Sequence, residues 1–273
     1  MIAGIMAHPA SATPAPALVL CHGALDFKEN FEELQSFLAS RGIASLALDM
    51  RGHGASGGKR WHVDIKAWVD DIRCAVDYLS AHPGVRKGAI GAFGFSSGGT
   101  AVLEAAVVED RLRCVSTLDA TVRSTLGLPD VIVMCVLCAL GLVKRFMTGD
   151  DLRLDMSREF GKVPAAADEV VNRSWQEDAR VRRMWSEVPF PGIWSAFVTD
   201  TIRRVHRIRV PVLVIHGDKD RVDPPKSAVI LHEALRCPRR LCIVAGNGHM
   251  GHRDTNRHAV FELVASWAKA HLV

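Results

Sequence analysis

The longest apolar run in this sequence, residues 131–143, covers 13 residues. A membrane-spanning helix needs about 18–20, so no stable membrane insertion is expected. The first 17 residues lack both a charged leader and a continuous apolar core, so no secretory signal is expected either. Neither charge dominates: 34 Lys and Arg stand against 30 Asp and Glu, a formal excess of +4. That excludes the concentrated basic face of a nucleic-acid binder. There is no internal repeat. With 48% apolar and 23% charged residues, intrinsic disorder is excluded for most of the chain.

Paired cysteines are also missing. Seven cysteines stand at irregular spacing, most of them inside apolar runs, as Cys21 does after Val19 and Leu20. Buried free thiols in a reducing compartment are the expectation, and with them a cytoplasmic location. Cys135 and Cys138 form a CxxC, but no second pair and no nearby histidines complete a zinc or redox site. No phosphate-binding loop, dinucleotide fingerprint or metal cluster is present, so neither metal nor cofactor is expected.

What is present is an alternation. Short apolar runs at 17–21, 43–48, 89–95 and 112–118 read as strands. Between them, 29–41, 64–82 and 97–108 carry apolar residues at helical spacing. A further strand is expected near 2–6. The alternation breaks at Ala120 and resumes with strands at 210–216 and 241–245 and helices at 227–235 and 256–272. Such order predicts a mostly parallel central sheet with helices on both faces. The expected organisation is a core of residues 1–120 and 210–273 with a helical cap, 121–209, inserted from a loop.

The strongest chemical signal is Gly94-Phe95-Ser96-Ser97-Gly98, a G-x-S-x-G between a strand and a helix. That turn presents a serine hydroxyl away from the sheet. A serine needs a base, and the base needs an acid to orient it. Later strand ends supply His216-Gly217-Asp218-Lys219-Asp220 and Gly246-Asn247-Gly248-His249. The chain order is serine, aspartate, histidine, and all three follow carboxyl ends of strands, where open parallel sheets bind ligands. Ser96 is the expected nucleophile. His249 is the expected base, with His252 as second choice. Asp218 and Asp220 are both candidates for the acid.

With these motifs the chain resembles the α/β-hydrolase family over nearly all its length outside the cap. His22-Gly23-Ala24 looks like the family's oxyanion loop and Asp49-Met50-Arg51-Gly52-His53-Gly54-Ala55-Ser56 like its D-x-R-G-H-G-x-S turn. The combination is most similar to the monoacylglycerol lipase and serine aminopeptidase-like branch. Two features depart from it. Ser97 stands where that branch usually has a bulky residue, and the N-terminal hairpin is shortened. The resemblance implies Asp220 as the acid. It implies an oxyanion hole from the backbone N–H groups of Ala24 and Ser97, with Leu25 as an alternative donor. It assigns Asp49, His22, His53 and His216 to structure.

The cap run 126–143 is apolar on every side. It is expected to line the approach to Ser96, with Leu25, Val133 and Leu137 touching an acyl group, and it leaves open transient contact with a lipid surface. The expected activity is cleavage of a small-molecule carboxylic ester through an acyl-enzyme, medium and long acyl chains favoured. Thioester or amide cleavage on the same residues, or ligand binding with little turnover, are the alternatives.

Overall fold

The computed structural model describes residues 1–10, 13–124, 126–159 and 161–272. Its main sheet has seven strands in the order β1-β3-β2-β4-β5-β8-β9. These are β1 (Gly4–Ala7), β2 (Ala15–Cys21), β3 (Ala44–Leu48), β4 (Val85–Phe95), β5 (Leu112–Leu118), β8 (Val212–Gly217) and β9 (Arg239–Val244). Only β1 runs antiparallel, paired with β3 through Gly4–Leu48 and Met6–Leu46. The shortened N-terminal hairpin is thus a single edge strand.

Successive residues of a strand face opposite ways, and the core divides accordingly. Ala17, Val19 and Cys21 of β2 join one apolar cluster; Leu18 and Leu20 join the other. The first is covered by α2 (Ile65–Ala81), α3 (Ser97–Val108) and α8 (Lys226–Ala234). The second is covered by α1 (Glu32–Ser40) and α9 (Arg257–Leu272). Asp64 caps α2, its carboxylate accepting the Ala67 N–H at 3.1 Å, which satisfies one of the unpaired donors of the first turn. The expected helix at 29–41 begins instead with a 3-10 turn, Lys28–Phe31.

Between β5 and β8 the chain leaves the sheet. It forms α4 (Leu128–Thr148), β6 (Leu152–Leu154), α5 (Glu169–Glu177), α6 (Ala179–Ser186), β7 (Val188–Phe190) and α7 (Trp194–Phe197). The pairing of β6 with β7, Leu152 opposite Phe190, was not expected, because three residues are too few to show a period of two. α4 is longer than the apolar run within it and ends at Gly149, whose φ of +81° closes the last turn. By length and composition alone it is long enough to cross a membrane.

Side-chain contacts help hold this segment over the carboxyl ends of the strands. Arg180 stacks on Phe27 with its guanidinium carbon 3.7 Å from the ring centre. His62 pairs with Asp151 at 2.7 Å. Asp254, fully buried, accepts the N–H groups of Ala167 and Asp168 at 2.7 and 2.9 Å.

Candidate active site

Ser96 lies between β4 and α3 with φ +52°, a conformation costly for any residue with a side chain. Its neighbours explain how the turn closes. A Cβ on Gly98 would fall 2.3 Å from the Cys21 carbonyl oxygen, and one on Gly94 would fall 2.3 Å from that of Gly98. The turn is packed against the end of β2, so both positions require glycine.

The Ser96 hydroxyl lies 3.0 Å from His249 Nε2. His249 Nδ1 lies 2.8 Å from Asp220 Oδ2. A carboxylate only accepts, so Nδ1 carries the proton and Nε2 is left to accept from the serine. All three side chains are buried. Asp220 Oδ1 accepts the N–H groups of Val222 and Asp223 at 2.8 and 2.9 Å. Burial alone would raise the Asp220 carboxyl. The charge on His249 and the hydrogen bonds from His216 and His249 outweigh it and hold the group well below the usual carboxylate range. For His249, burial opposes the charged ring, yet Asp220, with Asp223 and Asp119 behind it, pushes the imidazole up to about 9.

Asp218 points elsewhere, accepting the Gly246 N–H at 2.7 Å. His252 is buried between Phe31 and Phe95, ring centres 5.2 and 4.6 Å away. Neither of its nitrogens has a hydrogen-bond partner among the described residues, and burial drives its ring down to about 3.

The loop after β2 is set by two neutral histidines. His22 donates from Nδ1 to the Gly23 carbonyl at 2.7 Å and accepts the Met50 N–H at 3.0 Å. The Gly23–Ala24 peptide is planar and trans, so fixing its carbonyl fixes the opposite direction of the Ala24 N–H. His53 accepts the Leu25 N–H at 3.2 Å, which commits that donor within the protein. Ser97 heads α3, where helix N–H groups lack intrahelical partners. Ala24, Ser96, Ser97 and Leu25 share one cavity wall. Asp49 serves the turn: it accepts from Lys28 Nζ at 2.6 Å and the Ala55 N–H at 2.8 Å.

The cavity over Ser96 holds about 340 Å³. Its apolar wall comes from Leu25, Leu126, Val163, Trp175, Trp185, Ile193 and Phe197. Val133 and Leu137 are not part of it, which corrects the expectation for them. α4 buries Cys138 and Gly141 and packs on β6 and β7, where a Cβ on Gly141 would meet the Phe190 carbonyl oxygen at 2.2 Å. Val133 consequently faces outward, 58% exposed, and Leu137 packs half-buried against the core. Only Leu126, before the helix, reaches the cavity.

Sequence reasoning missed Asp119, Asp223 and Asp254. Asp254 also accepts the Gly248 N–H at 2.6 Å, tying the His249 loop to the segment above it. Asp119 and Asp223 are buried next to Asp220 and His216. A hydroxyl bonded to an imidazole that a buried carboxylate orients can attack a carbonyl as it loses its proton.

Residues 12–256 match the family described as Hydrolase_4, serine aminopeptidase, S33. A monoacylglycerol lipase of Mycolicibacterium smegmatis is 27% identical over 268 residues, which are 95% of this chain and 90% of that protein. The thiohydrolase aneE of Aspergillus aculeatus is 26% identical, covering 86% of this chain and 79% of its own. Among solved structures, the monoacylglycerol lipase of Paleococcus ferrophilus superposes with a TM-score of 0.77 at 22% identity, over 99% of each chain. That last likeness is one of fold.

Proposed function

The chain belongs to the serine aminopeptidase S33 family and is an α/β hydrolase of the esterase and lipase type, and from that premise we propose that it cleaves carboxylic esters of medium or long acyl chains through an acyl-enzyme on Ser96. The observation that carries this reading is the continuous hydrogen-bond chain Ser96–His249–Asp220, which opens into a largely apolar cavity. In this reading Ser96 Oγ attacks the ester carbonyl and His249 Nε2 takes its proton. The Ala24 and Ser97 N–H groups receive the negative charge that develops on the carbonyl oxygen. His249 then returns the proton to the departing alcohol. Water, deprotonated by the same nitrogen, releases the acid and restores Ser96.

The substrate is a small ester or acyl compound, with monoacylglycerols within the class; the similar lipase supports this. The similar thiohydrolase favours a second reading in which the leaving group is a thiol. We read residues 121–209 as a cap. The outward face of α4, with Ile132, Val133, Val136, Leu140 and Phe146 exposed, is its contact with a lipid surface, and Lys144 and Arg145 near its end suit anionic headgroups. The seven free thiols support a cytoplasmic location.

The test is a panel of p-nitrophenyl esters from acetyl to dodecanoyl, with monoacylglycerols and matched acyl thioesters. Each methylene buried in the cavity contributes about 0.8 kcal/mol, roughly fourfold. The reading expects kcat/KM to rise from acetyl to at least octanoyl. Acetyl esters as the best substrates would refute the acyl-chain preference.

A further inference from the structure

Three buried acid–base groups stand around Asp220 that the reaction proposed above does not use. His216 Nε2 lies 3.1 Å from Asp220 Oδ2 and 2.8 Å from the Asp223 carbonyl oxygen. Both are acceptors, so Nε2 carries a proton and donates to the same carboxylate oxygen that His249 uses. His216 Nδ1 faces Asp119 Oδ1 at 3.8 Å. Asp119 is completely buried with φ +50°. Its Oδ1 accepts the Gly217 N–H at 2.8 Å, and its Oδ2 has no hydrogen-bond partner among the described residues.

We propose that His216, backed by Asp119, is a positioning residue of this active site: it locks Asp220 toward His249 and sets the basicity of His249. The inference rests on the Ser96 reading above. Two backbone N–H groups hold Asp220 Oδ1, and His216 supplies the second donor to Oδ2. The carboxylate therefore has four donors, and its plane cannot turn without losing one. A turn residue needed only for folding would be served by the bond to the Asp223 carbonyl. The bond to Asp220 and the buried carboxyl of Asp119 go beyond that need.

A buried carboxyl with an unpartnered oxygen is expensive unless a proton or a cation meets it. Among the described residues, imidazole is what meets Asp119. Burial, against the pull of His216, lifts its carboxyl to about 7. Burial opposes a charge on His216, but the bond to Asp220 and the charge of Asp119 outweigh it and raise the ring. The raised His216 ring thus offsets one negative charge behind the triad. The groups facing His216 are Asp119 from the end of β5, Asp220 and Asp223 from the loop after β8, and His249 beyond Asp220. Asp223 is itself bonded by the Thr121 hydroxyl at 2.6 Å.

The signs follow. Removing the His216 proton leaves the nearby carboxylates uncompensated, so His249 holds its proton more tightly and the acidic limb of kcat/KM moves to higher pH. Asp119→Asn removes a negative charge while keeping the acceptor for the Gly217 N–H, so the limb moves to lower pH.

The experiment measures kcat and KM for p-nitrophenyl butyrate from pH 6 to 10.5 in the wild type, His216→Gln, His216→Leu and Asp119→Asn, with thermal melts alongside. Gln keeps a neutral donor to Asp220. Its kcat on the high-pH plateau should stay within about threefold of wild type, with the limb about half a pH unit higher. Leu should lose about 30-fold in plateau kcat with KM within about twofold. Asp119→Asn should move the limb down by about half a unit. Where His216→Leu does not fold, the opposite shifts of Gln and Asn carry the test. Unshifted limbs in both, or shifts of the same sign, overturn the proposal. Ser96→Ala in the same assay separates the two levels: if it stays active, the Ser96 reading itself fails. If it is dead while the limbs stay put, only the role of His216 is lost.

Discussion

Replacing Asp220 by asparagine changes one atom and should cost nearly the whole rate. Asp220 Oδ2 is an acceptor for two imidazole N–H groups, and Oδ1 is an acceptor for two backbone N–H groups. An asparagine must place its NH₂ against one of these pairs, where two donors then face each other. The backbone pair is fixed by the turn, so the NH₂ turns toward His249. His249 can answer only by carrying its proton on Nε2 and accepting on Nδ1. Nε2 then donates toward Ser96 and cannot take the serine proton. In triads of this geometry the wrong tautomer lowers kcat by about 10⁴. That corresponds to roughly 5.4 kcal/mol on the barrier, at about 1.36 kcal/mol per decade. The volume is conserved and Oδ1 still satisfies the turn, so melting temperature should fall far less than activity. The assay is kcat with p-nitrophenyl butyrate at pH 9, with a thermal melt as the control for folding. A loss below tenfold in a folded variant would refute the assignment of Asp220 and turn attention to Asp223 and Asp119, the other buried carboxyls near His249.

Three further outcomes are expected. A base must be neutral to accept a proton, and His249 is raised to about 9, so kcat/KM should climb about tenfold per pH unit below that value and level above it; a plateau already reached at pH 7 would contradict the electrostatics. His252→Phe removes two buried nitrogens without hydrogen-bond partners among the described residues, so it should keep activity within about twofold and gain about 1 kcal/mol of stability, read from urea unfolding; a loss comparable to His249→Ala would mean the base is misplaced. Val133→Asp changes an outward side chain of α4. It should leave hydrolysis of a soluble butyryl ester unchanged and weaken hydrolysis of monoacylglycerol in phosphatidylglycerol vesicles several-fold by loss of buried apolar area, and equal effects on both would remove the lipid-contact role of the helix.

The parallel sheet was legible because its strands are short apolar runs separated by amphipathic helices, and β2, β3 and β5 fall within a few residues of the expected spans. The turn at Ser96 was legible because glycine is forced at 94 and 98 by contacts that any such elbow must make. The small sheet of β6 and β7 was not, since three residues carry no period and Pro189 speaks against a strand except at an edge. The direction of α4 was not legible for a related reason. A helix apolar on all sides names no buried face, and only the close approach of Gly141 to Phe190 decides that Val133 looks outward. Asp119, Asp223 and Asp254 are single carboxylates with no motif of their own. Their partners lie on other strand ends and come together only in three dimensions.

Covalent capture tests the central claim most directly. The purified chain would be treated with a fluorophosphonate bearing an octyl group, and the adduct located by peptide mass spectrometry. The account predicts one phosphonyl group per chain, on Ser96 and not on Ser97. Labelling should be suppressed by His249→Ala and absent in a folded Ser96→Ala protein. A folded Ser96→Ala chain that still labels at the wild-type rate, or an adduct on any other residue, would contradict it.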